Sequence, residues 1–183
     1  MKIEPDKSLL LIIDVQEKLI DHIYNRNLIV ENIKILLKTF STLNFPVILS
    51  EQYPKGLGKT IDDILINKPH SDNFFSFEKI TFSCFPNDSF RKLLSKIKKK
   101  QIIICGLEAH ICVLQTALDL LKNNFEVFVV NEAVGSRKKD DFILGIKRLR
   151  QCGAQILTNE MVMFELLKDS KHNHFKFLSK IIK

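Results

Sequence analysis

Short, uninterrupted apolar blocks separated by amphipathic stretches restrict the fold of this chain more than any other feature. The blocks run Leu9 to Ile13, Val47 to Leu49, Gln101 to Cys105, Val127 to Val130 and Gln155 to Leu157. A strand that is apolar at every position keeps neither face in water, which is the condition of a parallel sheet covered by helices on both sides. The intervening segments, Leu28 to Leu43, Asn87 to Lys98, His110 to Lys122 and Lys138 to Cys152, carry helical periodicity. Parallel neighbours require crossovers, and alternating strands and helices supply them. The expected fold is therefore α/β, a doubly wound three-layer α/β/α sandwich. Segment Gln52 to Phe82 is less regular, and two C-terminal helices, Asn159 to Lys168 and Asn173 to Ile182, are expected to lie outside the sheet.

With 183 residues, 45% of them hydrophobic, residues 1–183 are expected to form one domain around one core. The apolar run near the N-terminus is broken at Asp14, so the expectation is no signal peptide, no membrane span and a cytoplasmic location. Four cysteines, Cys84, Cys105, Cys112 and Cys152, form no C-x-x-C pair, which argues for free thiols over a zinc cage or a disulfide framework. The net charge of +7 comes overwhelmingly from lysine, without the interleaved arginine and aromatic residues of a nucleic-acid face, so no nucleic-acid partner is expected. Lys98-Lys99-Lys100 suits the negative end of a helix dipole.

In open parallel sheets, ligands bind beyond the carboxyl ends of the strands where the strand order reverses. If the order is 3-2-1-4-5-6, strands one and four are neighbours at that point. Asp14 ends the first and Cys112 follows the fourth, so topology brings two distant residues to one crevice. A thiol in the first turn of a helix feels the positive dipole end, which favours the thiolate and lowers its pKa. The alternative for Cys112 is a small buried core residue, as free cysteines commonly are. Asp14 reads equally as a helix N-cap or turn former, and Lys79 as a surface lysine at a sheet edge. Cys105, inside a strand, is the better candidate for inert packing.

Three landmarks in order carry a resemblance that bears on these alternatives: Leu-Ile-Ile-Asp14-Val-Gln16, Lys79 before Thr81-Phe82-Ser83, and Gly106-Leu-Glu-Ala-His-Ile-Cys112-Val. Across essentially its whole length the chain resembles the isochorismatase-like cysteine hydrolases. Ser50-Glu51-Gln52-Tyr53-Pro54-Lys55-Gly56-Leu57-Gly58, Ser136-Arg137, Arg148, Gln151, Gly153 and Ala154 are similar to the isochorismatase-domain-containing branch. The resemblance implies a six-stranded parallel sheet in the Rossmann-like order 3-2-1-4-5-6 and a triad in which Asp14 accepts the thiol proton of Cys112 while Lys79 positions Asp14. It implies attack on an amide-like C–N carbonyl, a thioester acyl-enzyme, and an oxyanion hole from the backbone N–H groups of Glu108 and Cys112. It also implies a non-proline cis peptide at Leu107–Glu108, a pocket lined by Gln16, Gln52 and Tyr53, a small-molecule substrate and a homo-oligomer. Relatives that cleave the isochorismate vinyl ether generally lack the nucleophilic cysteine, so that reaction is not implied.

Two departures matter. Nicotinamidase-like relatives hold a metal through an Asp and two His, but the corresponding stretch here reads Ser50-Glu51-Gln52-Tyr53 and His70 has no convincing partner, so neither metal nor other cofactor is expected. Glu132 stands where the branch more often has Asp. Gly58-Lys59-Thr60 lacks the earlier glycine of a phosphate-binding loop, because that position is Tyr53. His172 and His174 lie in a polar segment without a ligand cluster. The competing functions are a catalytically silent interaction or scaffold protein of the same fold and, from charge alone, nucleic-acid binding or cleavage.

Overall fold

Four of the five apolar blocks form the inner strands of a six-stranded parallel sheet in the strand order 3-2-1-4-5-6, and the fifth, Gln155 to Leu157, forms a half-buried edge strand. The computed structural model describes residues 1–68 and 72–182. In chain order its elements are β1 (Ser8–Ile13), α1 (Glu17–Ile20), α2 (Arg26–Thr42), β2 (Val47–Gln52), α3 (Pro54–Leu57), α4 (Asp62–Leu65), β3 (Phe74–Lys79), α5 (Asp88–Ile97), β4 (Gln101–Leu107), α6 (Cys112–Lys122), β5 (Glu126–Gly135), α7 (Lys139–Gln151), β6 (Gln155–Leu157), α8 (Asn159–Leu167) and α9 (Phe175–Leu178).

Strand side chains alternate between faces, and the core divides accordingly. Leu10, Ile12, Ile103, Cys105, Phe128 and Val130 pack against α2 and α8 on one face. Leu9, Leu11, Ile13, Ile102, Ile104, Val127 and Val129 pack against α5, α6 and α7 on the other. These side chains are fully buried, and each contributes roughly 1.5–3 kcal/mol through removal from water. Helix starts follow local chemistry: Asn87 caps α5 by accepting from the backbone N of Phe90 (3.1 Å), and Thr158 caps α8 by accepting from that of Met161 (3.2 Å).

The structure departs from the sequence pattern in three places. β3 emerges from the irregular segment as an edge strand, and its exposure alternates from Ser76 to Lys79 instead of forming a continuous apolar block. β5 continues past Val130 through Glu132 to Gly135, with a register shift against β4 between Ile104 and Gly106. The last helix shrinks from the expected Asn173 to Ile182 to Phe175–Leu178; beyond it, Lys180 and Ile181 bond three residues back in tighter turns. Its Leu178 packs with Met163 and Leu167, outside the sheet.

Gly106 sets how closely β4 approaches β1. Its φ is 112°, and a Cβ there would meet the backbone O of Ile13 at 2.1 Å and its N at 2.6 Å. Only glycine permits this contact, which lies one residue before Asp14.

Candidate active site

The carboxyl ends of β1, β2 and β3 are aligned by register, with Ile13 beside Ser50 and Gln52 beside Lys79. Asp14 follows β1 in a left-handed conformation (φ 51°), and its backbone N donates to Ser50 O (3.1 Å). Lys79, at the end of β3, reaches back across β2, and its ammonium donates to Asp14 Oδ2 at 2.6 Å with both side chains fully buried. Cys112 is the first residue of α6, and its thiol interacts with the Asp14 carboxyl. Three side chains far apart in sequence thus meet beside one helix start.

The hydrogen-bonding capacity of this cluster is almost fully used. Besides Asp14, the Lys79 ammonium donates to Gln52 Oε1 (2.8 Å) and Phe82 O (3.1 Å), which accounts for its three protons. Ser50 Oγ donates to the other carboxylate oxygen, Asp14 Oδ1 (2.7 Å). Burial pushes the Asp14 carboxyl above the usual carboxylate range, while Lys79, Ser50 and Cys112 pull it back. A carboxylate in that position takes up a proton more readily than an exposed one.

The expectation of a depressed Cys112 pKa is corrected. Burial raises the thiol strongly and the neighbouring Asp14 charge adds to this, with Lys79 only partly opposing it. At 7% exposure, desolvation outweighs the half-charge of a helix end. Cys112 rests as a thiol, and its proton has to leave when sulfur reacts. Cys84, fully buried nearby, is likewise pushed up, to about 12, by burial and by Asp14; its backbone N donates to Thr116 Oγ1 (3.0 Å), one turn along α6 from Cys112. Cys105 lies inside β4 on the opposite face of the sheet, and Cys152 is exposed.

The loop between β4 and α6 presents backbone donors beside the thiol. The Leu107–Glu108 peptide is cis. Among the described residues, neither the backbone N–H of Glu108 nor that of Cys112 has a backbone acceptor, whereas Ala109 N donates to Gly135 O (2.7 Å) and both Ile111 N and Val113 N donate to Glu108 O. The buried Glu108 carboxylate accepts from Arg137 N (3.1 Å) and Nε (3.0 Å), and His110 Nδ1 lies 2.9 Å from Ser136 Oγ. The loop is therefore tied to the end of β5 by its own side chains. Ser136-Arg137 was visible in sequence only as part of a resemblance, without this partner.

Gln16, Gln52 and Tyr53 gather at the same end of the sheet but differ in setting. The Gln16 amide is fully buried: Oε1 accepts from Gln52 N (2.7 Å), and Nε2 donates to Gln52 O (3.0 Å) and Gly58 O (2.7 Å). Gln52 Nε2 donates to Ile80 O (2.6 Å). Tyr53 is half exposed, its ring over Gly56. Ser50 was missed as a site residue; the signal available was its place at the end of the strand beside β1. Glu51 accepts from Thr60 N and Oγ1, both at 2.7 Å, so the Gly58-Lys59-Thr60 stretch is held to β2. Glu132 accepts from the backbone N of Asn159 (2.7 Å), where a carboxylate suits the start of α8. His70 lies outside the described residues. Among the described residues no group of three or more His, Cys, Asp or Glu is arranged to hold a metal ion, and no helix is long and apolar enough to cross a membrane.

Comparison with known proteins agrees with this fold. The Isochorismatase domain model matches residues 8–161. The chain belongs to the isochorismatase family. Isochorismatase family protein 1A of Dictyostelium discoideum is 40% identical over 175 residues, covering 95% of this chain and 85% of that protein. Isochorismatase domain-containing protein 2 of Danio rerio is 39% identical over 177 residues, covering 96% and 86%. Among solved structures, the MAR1 ribonuclease from Caenorhabditis elegans superposes with a TM-score of 0.93 at 35% identity, covering all of this chain and 92% of the other. Membership of the isochorismatase family places the chain among hydrolase-like proteins and leaves the bond it acts on to the chemistry of the site.

Proposed function

We propose that this isochorismatase-family chain is a cysteine hydrolase of small amide-like substrates, with Asp14, Lys79 and Cys112 as its catalytic residues. The observation that carries the reading is the fully buried Lys79–Asp14 pair at 2.6 Å beside a thiol at the first residue of α6. A buried carboxylate held by one ammonium and one hydroxyl is costly to maintain as mere packing. Next to a thiol it supplies a base.

In the proposed reaction the Cys112 proton passes to Asp14 as sulfur attacks the carbonyl carbon, and the C=O pair moves onto oxygen. The backbone N–H groups of Glu108 and Cys112 donate to that oxyanion. As the tetrahedral adduct collapses, the C–N bond breaks and Asp14 returns the proton to the departing nitrogen. Water then gives a proton to Asp14 as its oxygen attacks the thioester; the C–S bond breaks, the acid leaves, and Asp14 passes that proton to sulfur to restore the thiol. Lys79 acts as a fixed charge that keeps Asp14 ionised between steps. Tyr53, half exposed just beyond the end of β2, is the residue we place against substrate, and the small exposure of Cys112 favours a compact acyl group. No step requires a cofactor.

The test is release of ammonia or amine from a panel of small carboxamides. The expected result is turnover by the wild type and none by folded Cys112→Ala or Asp14→Asn. Absence of turnover across amides and esters, with a stable protein partner captured by the purified chain, would favour the scaffold reading instead. A second reading, RNA cleavage, is favoured by the ribonuclease names of the C. elegans neighbour and of two Leishmania neighbours, each 30% identical to this chain. A polyanionic strand would have to reach a nearly closed site where Lys79 is already held by three acceptors. RNA cleavage that disappears in Cys112→Ala would support it over amide hydrolysis.

Two further readings belong with this one. Self-association is supported by the exposed Tyr24, Leu28 and Ile143, which line a cavity of about 350 Å³ between α2 and α7; light scattering that returns a monomer mass would overturn it. Residence in the cytoplasm is supported by four unpaired cysteines, and cell fractionation tests it.

A further inference from the structure

We infer that Gln52 is a positioning residue for Lys79 and not a substrate ligand, an inference that rests on the Asp14–Lys79–Cys112 reading. Both ends of its amide are occupied within the protein: Oε1 accepts from the Lys79 ammonium at 2.8 Å, and Nε2 donates to Ile80 O at 2.6 Å. The second bond fixes which end of the amide faces the lysine. Gln52 is 8% exposed, so little of the amide's remaining capacity, one N–H and one lone pair, is open to a substrate.

Its backbone is anchored equally firmly. Gln16 pairs its side-chain amide with Gln52 N and Gln52 O, at 2.7 and 3.0 Å, and ties both to Gly58 O at 2.7 Å. Tyr53 N donates to Lys79 O (2.8 Å), which closes the end of β2 onto the end of β3. Gln16 thus holds Gln52, and Gln52 holds Lys79. An amide suits this place because it orients a buried ammonium without adding charge. A carboxylate at position 52 would share the ammonium with Asp14 and weaken the support for ionised Asp14, whose affinity for a proton would rise. An apolar side chain would leave one N–H of a buried cation without an acceptor.

The experiment measures alkylation of Cys112 by iodoacetamide against pH, resolved at the peptide level, in a Cys152→Ser background that removes the exposed thiol. The expected wild-type curve has an acidic limb that vanishes in Asp14→Asn. Gln52→Glu is expected to move that limb upward by about one pH unit, and Gln52→Met to lower the plateau rate about tenfold. Iodoacetamide needs no substrate contact at position 52, so a substrate ligand there would leave both curves on the wild-type trace; that result, in variants shown to be folded, overturns the inference. Gln52→Glu keeps the size and the acceptor toward Lys79 and carries the test if Gln52→Met does not fold. A wild-type curve indifferent to Asp14→Asn would instead refute the triad reading, so the two failures are distinguishable.

Discussion

Replacing Lys79 by methionine removes one member of a fully buried ion pair and leaves the other without a counter-charge. The Lys79–Asp14 contact is 2.6 Å with both side chains inaccessible to water, so solvent screening offers little relief. Breaking such a pair from one side costs about 3–5 kcal/mol. With a urea m-value of about 2 kcal/mol per M, a 4 kcal/mol loss lowers the unfolding midpoint by about 2 M. The loss is pH-dependent with a defined sign. The Asp14 carboxyl is already raised in the folded chain by burial, and loss of Lys79 raises it further. A group raised on folding adds stability below its unfolded pKa, and that stability is lost as pH rises through the folded pKa. Lys79→Met is therefore more destabilised at the higher of two pH values, about 8, than at the lower, about 5, which lies nearer the unfolded carboxylate value. Asp14→Asn combined with Lys79→Met removes the stranded charge and recovers much of the loss at both pH values. Urea titrations of the four species at the two pH values form a double-mutant cycle. A single-variant loss below about 1 kcal/mol, the range of exposed ion pairs, would refute the argument. So would a loss equal at both pH values.

Ser50→Ala deletes the hydroxyl bonded to Asp14 Oδ1 and is expected to cost about 1.5–3 kcal/mol, with the acidic limb of activity shifted to higher pH; an unmoved limb would show that Ser50 does not support the charged carboxylate. Gly106→Ala places a methyl group at 2.1 Å from Ile13 O at a positive φ and is expected to destabilise the chain by at least about 2–3 kcal/mol, read as a fall in Tm; a Tm near wild type would mean that β1 and β4 separate easily below Asp14.

The inner sheet was readable because its strands are buried on both faces, and an uninterrupted block such as Leu9 to Ile13 does not suit a strand with one face in water. β3 was not readable in that way. As an edge strand it exposes Ser76 and Glu78 and buries Phe77 and Lys79, a pattern easily lost in an irregular stretch that also includes α3 and α4. The positions of Asp14 and Cys112 follow from strand ends plus topology, so their meeting could be anticipated. Lys79 needed the family resemblance, because nothing local marks it as buried. The role of Ser50, the clamp from Gln16 through Gln52, and the Arg137–Glu108 bond depend on strand register and loop path, which residue order does not disclose. The direction of the Cys112 shift is hidden from the sequence for a related reason: a helix start is visible there, while the depth of burial that overrides its dipole is not.

In the proposed reaction sulfur at position 112 becomes covalently acylated and Asp14 moves its proton. Both steps are read by brief exposure to an activated acetyl ester, acid quench and peptide mass analysis in the Cys152→Ser background. One acetyl group is expected on Cys112, accumulating in the wild type and slowed at least about a hundredfold in folded Asp14→Asn. An acetyl group found elsewhere, or on Cys112 at the same rate without the Asp14 carboxylate, would contradict it.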